Sequence, residues 1–199
     1  MAKDTADGNA PAKQEARQAT YQDVLDAPPN MVAEVVHGSL YTHSRPAMPH
    51  ARAGSGLGAL IGGPFDYGRG GPGGWWIVAE PELHLAEDIL VPDLAGWRRT
   101  RMPEFPNTAY CELAPDWACE VLSRSTRALD RGVKQDIYAR EKVQHLWFVD
   151  PDVHTLEAFE LREGRWFLLK KLSGATSVSL PPFEAIRFNL GDLWIAPAP

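Results

Sequence analysis

The stretch whose reading decides the fold is residues 116–150, DWACEVLSRSTRALDRGVKQDIYAREKVQHLWFVD. It opens on a short apolar run, Trp117 to Ser123. It continues with helical periodicity from Asp130 to Lys142, Val133 and Ile137 sharing one face, and closes on a second apolar run, Leu146 to Val149. Apolar runs of that length read as buried strands, and strand, helix and strand in succession make a crossover unit. One residue breaks the pattern. Alternation puts Glu120 on the same strand face as Ala118 and Leu122, where an unpaired carboxylate costs several kcal/mol to desolvate. It therefore requires a partner.

Upstream, Trp75 to Ala79, Glu82 to Leu85 and Ile89 to Trp97, with a turn near Glu87-Asp88, read as one long hairpin. Residues 62–74 hold seven glycines and two prolines, a composition that predicts a loop. Before it, residues 49–61 predict a helix. Val32 to Tyr41 predicts a hairpin turning at His37-Gly38, with Glu34 on its first strand, and residues 16–25 a short helix. Downstream, residues 157–161 and 166–172 form a second hairpin about the Arg162-Glu163-Gly164 turn, and Pro181-Pro182 begin a C-terminal extension. Residues 1–15 carry charge and no large apolar side chain beyond Met1, and read as a disordered tail. The expectation is one α/β (α+β) domain over residues 16–199.

Composition narrows the function. At 199 residues the chain has room for one domain, and 44% hydrophobic with 23% charged residues suits a globular protein with a sizeable core. A net charge of −6 argues against nonspecific coating of nucleic acid and against an acidic membrane surface as partner. Cys111 and Cys119 have no zinc spacing, and no secretory signal or membrane-length apolar span is evident, so the expected location is cytoplasmic. Gly54 to Ala59 follows no strand and lacks the glycine spacing of a dinucleotide site. Trp75 and Trp76 open an apolar strand, which favours core packing or a dimer contact over base stacking.

Asp93 repeats the Glu120 anomaly, as a single acid in Val91-Pro92-Asp93-Leu94-Ala95. Two such acids on neighbouring strands can share a divalent cation, since Mg²⁺ prefers carboxylate oxygens and keeps water in its remaining positions. Each alone equally fits a strand-end residue paired with an arginine. Lys134 lies in the crossover helix on one face with Tyr138, where a lysine can neutralise phosphoryl charge or orient an attacking water. Taken alone it also fits a solvated helical lysine. Arginines at 98, 99, 101, 124, 127, 131 and 140 supply local basic regions on an acidic chain.

The segments Glu34-Val35-Val36-His37-Gly38, His50, Val91-Pro92-Asp93, Cys119-Glu120-Val121-Leu122-Ser123, Asp130-Arg131-Gly132-Val133-Lys134 with Tyr138, and Trp147-Phe148-Val149-Asp150-Pro151 together resemble the Uma2 family of restriction-endonuclease-like proteins. The resemblance covers roughly residues 20 to 170 and implies the PD-(D/E)XK nuclease fold: a restriction-endonuclease-like core with a mixed central β-sheet flanked by helices, plus added antiparallel hairpins. On that resemblance Asp93 and Glu120 are catalytic metal ligands for Mg²⁺, with Mn²⁺ as a substitute. Leu122 stands where the superfamily has its lysine, and Lys134 matches the displaced position in the next helix. Glu34 matches a further recurrent position and is carried as an accessory ligand, while Glu82 and His50 carry less. Lys142, His145 and Leu146 depart from the family pattern away from the acids. The implied activity is metal-dependent endonucleolytic hydrolysis with DNA as the nucleic-acid partner. The alternative is a noncatalytic binding protein on the same scaffold, forming a homodimer through the aromatic hairpin.

Overall fold

Residues 117–121 form a strand buried along its whole length, because the sequence gives both of its faces something to pack against. Trp117, Cys119 and Val121 enter one apolar cluster, and Ala118 and Leu122 enter another on the opposite side. The structure is a computed structural model and describes residues 17–195. The tail expected over residues 1–15 lies outside the described residues. In chain order the elements are α1 (Tyr21–Leu25), β1 (Met31–Val36), β2 (Ser39–Ser44), α2 (Met48–Ile61), β3 (Trp75–Ala79), β4 (Leu83–Leu85), β5 (Asp88–Leu90) and β6 (Leu94–Arg98). They continue with β7 (Trp117–Val121), α3 (Arg127–Leu129), α4 (Gln135–Arg140), β8 (His145–Asp150), β9 (Thr155–Arg162), β10 (Arg165–Ser173), β11 (Ser177–Val178) and β12 (Phe188–Asn189).

A six-stranded mixed sheet, ordered β10-β9-β8-β7-β6-β3, carries the molecule, and β7 with β8 is its parallel pair. The crossover unit expected from residues 116–150 is therefore present. On one face of the sheet α2 packs through Ala53, Leu57 and Ile61 together with the C-terminal extension, whose Phe183 lies 4.9 Å from Trp117 and 5.1 Å from Trp75, ring centre to ring centre. On the other face lie Ile137 and Tyr138 of α4 and the smaller sheet β2-β1-β5-β4. Trp75 is buried, as core packing requires.

Residues 75–97 make the expected long hairpin, in one continuous register from Trp75 opposite Arg98 to Leu85 opposite Asp88; its base strands β3 and β6 lie in the larger sheet and its tip strands β4 and β5 in the smaller one. Pro81 and Pro92 mark where the two arms pass between the sheets, since neither can donate to a ladder. Two expectations need correction. The glycine-rich stretch begins as helix, because Gly62–Asp66 continues α2 as a widened turn closed by Tyr67 N–H donating to Gly62 C=O at 3.1 Å. Pro64 lacks a donor and crowds the carbonyl four residues back, so the helix widens instead of ending. Within the described part of the helix expected over residues 16–25, α1 starts only at Tyr21, because Thr20 takes the cap position and donates its N–H to Asp23 at 2.7 Å. Among the described residues no helix is long and apolar enough to cross a membrane.

Candidate active site

The antiparallel register of β6 and β7 aligns Leu94 with Cys119, so the residue just before β6, Asp93, lies beside Glu120. Asp93 is fixed there by its backbone and its side chain. Its carbonyl accepts from Glu80 N–H at 3.0 Å, and its Oδ2 accepts from Val121 N–H at 2.7 Å. His50, in the first turn of α2, brings Nε2 to 3.3 Å from Asp93 Oδ1. Two sheet-end acids are thereby held side by side.

Lys134 closes the site from the crossover segment. Residues 130–134 form a widened turn between α3 and α4 where regular helix is expected, and it turns both Asp130 and Lys134 inward. Lys134 Nζ lies 2.8 Å from Glu120 Oε1, 3.0 Å from Glu34 Oε1 and 3.3 Å from Asp130 Oδ1. Tyr138, one turn on, donates its hydroxyl to Glu120 Oε1 at 2.6 Å. Lys134 is 2% exposed, Glu120 2% and Glu34 1%. A lysine this deep is tolerated only because carboxylates surround it.

The charges do not balance. Burial favours the neutral amine, but Glu120, Glu34 and Asp130 outweigh it and hold Lys134 well above the usual lysine range. Burial likewise pushes Glu34 up, yet Lys134, His43 and the N–H of Val91 outweigh it and bring its carboxyl down to about 2. Lys134 and Glu34 are thus a compensated pair. Glu120 is left in excess: burial first, then the neighbouring charges of Asp130, Asp93 and Glu34, push it well above the usual carboxylate range against the pull of Lys134. Asp93 rises to about 6, chiefly through burial and against the opposing effect of His50. Both acids would be relieved by one more positive charge.

Both also face a cavity of about 470 Å³, which Lys134, Asp130 and His50 help to line. Hard oxygen donors with room for water suit a cation of the Mg²⁺ type, which takes one or two carboxylates and keeps several waters. Among the described residues no group of three or more His, Cys, Asp or Glu side chains is placed to hold a metal ion, so a cation here would rest on these two carboxylates and on water. Asp93 and Glu120 therefore fit a hydrated divalent cation.

The structure brings Asp93, Glu120 and Lys134 together. It places Glu34 behind Lys134, its Oε1 accepting from Val91 N–H at 2.8 Å and facing the ammonium. Glu82 lies elsewhere, with His84 at 2.8 Å. Sequence reasoning undervalued His50 and assigned no role to Asp130 or Tyr138. The four-residue spacings Asp130 to Lys134 and Lys134 to Tyr138 were the available signal, since such spacing puts all three on one helical face.

No curated protein matches the chain. Among solved structures, one described as "a putative nuclease belonging to DUF820" from Anabaena variabilis is similar in fold, with a TM-score of 0.69 at 20% identity over 88% of this chain and 97% of that one. The profile of the Uma2 family, described as "Putative restriction endonuclease", matches residues 14–191. That span takes in the six-stranded sheet and every residue lining the 470 Å³ cavity, and the chain belongs to the Uma2 family.

Proposed function

We propose that this protein is a divalent-metal-dependent endonuclease that hydrolyses phosphodiester bonds in DNA. The observation that carries the reading is the pair of adjacent acids, Asp93 and Glu120, facing one cavity with a fixed ammonium 2.8 Å from the second. Membership in the Uma2 family supports nuclease chemistry. Asp93 and Glu120 would hold Mg²⁺, with Mn²⁺ as a substitute. When bound, such a cation supplies Lewis-acid stabilisation and a water of lowered pKa.

The chain's own residues have separate tasks. Lys134, held charged by three carboxylates, cannot serve as a base at neutral pH, and it acts instead as a fixed positive charge for the phosphoryl oxygens. Tyr138 orients Glu120 through Oε1, and Val121 N–H and His50 orient Asp93. Arg45 and Arg124 stand on the lining of the cavity, where they offset its acidity towards an incoming phosphate. The net charge of −6 then restricts nucleic acid to this local site.

Calorimetric titration with Mn²⁺ tests the metal requirement. The account expects saturable heat in the parent and none in Asp93→Ala. Equal heats in both proteins would contradict it.

A further inference from the structure

A second cleft adjoins the catalytic cavity. It measures about 390 Å³ and shares Pro46, His50, Glu80 and Asp93 with the larger space. The two are halves of one channel that passes over the His50–Asp93 pair, 3.3 Å apart. From there the cleft runs along α2 beside β3 and reaches Tyr67, which is 70% exposed and has the Arg69 guanidinium 5.4 Å from its ring centre. The two halves differ in charge. In the cleft Asp66 is paired with Arg99 at 2.8 Å and Glu80 with Arg45 at 3.6 Å, which leaves Asp93, beside His50, as its acid without an arginine.

We infer that this channel takes an unpaired DNA strand, with a phosphate over Asp93 and Glu120 and the neighbouring nucleobase in the α2 cleft towards Tyr67. The inference rests on the hydrolytic reading of Asp93 and Glu120. A recess with neutralised acids and an aromatic at its end suits a flat, uncharged ring, and single-strand sites pair stacking aromatics with a cationic track in this way. Arg45, at the junction of the two halves, and Arg124, whose side chain is 92% exposed on the lining of the larger cavity, would provide that track by turning from the acids they now face at long range, Glu80 at 3.6 Å and Asp152 at 3.4 Å, towards phosphate. A base inside a duplex is already stacked and paired and enters the cleft only after unstacking and unpairing, at a cost of a few kcal/mol that an unpaired strand does not incur.

Gly62 makes the inference testable without disturbing the fold. It is buried at the end of α2 and lines the cleft, its backbone is helical at φ −61° and ψ −41°, and a Cβ added there meets nothing within 4 Å. A larger side chain would fill the cleft without backbone strain. The experiment measures anisotropy of a fluorescein-labelled single-stranded oligodeoxynucleotide and of its duplex with Ca²⁺ present, and cleavage of both with Mg²⁺. Parent, Gly62→Ala, Gly62→Leu and Tyr67→Ala are compared, with thermal midpoints as the folding control.

The parent is expected to prefer the single strand. Gly62→Leu and Tyr67→Ala should each lose about tenfold in single-strand affinity, the size of one lost base–aromatic stack, and Gly62→Ala less. Unchanged affinity in a folded Gly62→Leu protein, or a parent that prefers duplex, overturns the channel. If the parent cuts duplex alone, the channel falls and the hydrolytic reading stands. If the parent binds single strand with the expected variant order yet cuts nothing, the hydrolytic reading falls and the channel stands. A parent that neither binds nor cuts DNA overturns both.

Discussion

Lys134 Nζ sits 2.8 Å from Glu120 Oε1, bridging the helical half of the crossover unit to its first strand inside the protein. The contact ties folding to chemistry. The ammonium that neutralises part of the acidic cluster also secures the crossover segment against both sheets, because Glu34 belongs to β1 and Glu120 to β7.

Removing that cation leaves buried carboxylates uncompensated. Lys134→Met is expected to destabilise the fold by about 3–5 kcal/mol at neutral pH, the cost of breaking one side of a buried ion pair. Urea denaturation of parent and variant reads the difference. A loss below about 1 kcal/mol would mean that the cluster is far better solvated than its 2% exposure implies.

Tyr138→Phe deletes one hydroxyl and little volume. The 2.6 Å bond to Glu120 goes with it, and a buried polar group that loses its partner costs about 1–3 kcal/mol. A stability loss of that order, together with weaker Mn²⁺ binding as Glu120 loses its orientation, is the expected result of paired denaturation and calorimetric measurements.

Asp93 and Glu34 should give opposite pH signatures. The folded-state pKa of Asp93 is raised from 3.8 to about 6, so the native protein holds its proton more tightly than the unfolded chain, and stability falls as pH rises through that window. Asp93→Asn should therefore make the metal-free protein about 2–3 kcal/mol more stable at pH 7, a difference that fades below pH 4. Mg²⁺ should raise the thermal midpoint of the parent but not of the variant.

Glu34 moves the other way. Its folded-state pKa is lowered from 4.5 to about 2, so its contribution is complete above the unfolded value and is lost as pH falls towards about 2. Glu34→Gln should cost about 3 kcal/mol at pH 7 and nothing near pH 2, by thermal melts across the range. Because Glu34 faces Lys134 and Val91 and not the open cavity, Mn²⁺ affinity should stay within about twofold of the parent, with the difference appearing in the turnover rate.

Residues 116–150 made the crossover legible because strand and helix periods change within one continuous run, and the two strand acids stood out because carboxylates are costly on apolar faces. What stayed hidden depended on contacts between distant segments. The pairing of β3 with β6 follows from the long hairpin, but nothing local says that the base of that hairpin joins one sheet and its tip another, although Pro81 and Pro92 mark where its arms cross over. His50 was obscured because the register that delivers it to Asp93 is set by the packing of α2 across the sheet. The placement of Asp130 needed the widened turn at 130–134, which a regular helical period does not predict.

The most direct measurement is cleavage of supercoiled plasmid and of labelled oligonucleotides by parent, Asp93→Ala and Glu120→Ala, with and without Mg²⁺. The account predicts nicking or fragmentation by the parent that requires the cation, and a loss of at least about a hundredfold in each variant while its fold persists. Cleavage that survives both substitutions, or that proceeds equally well in chelator, would contradict it.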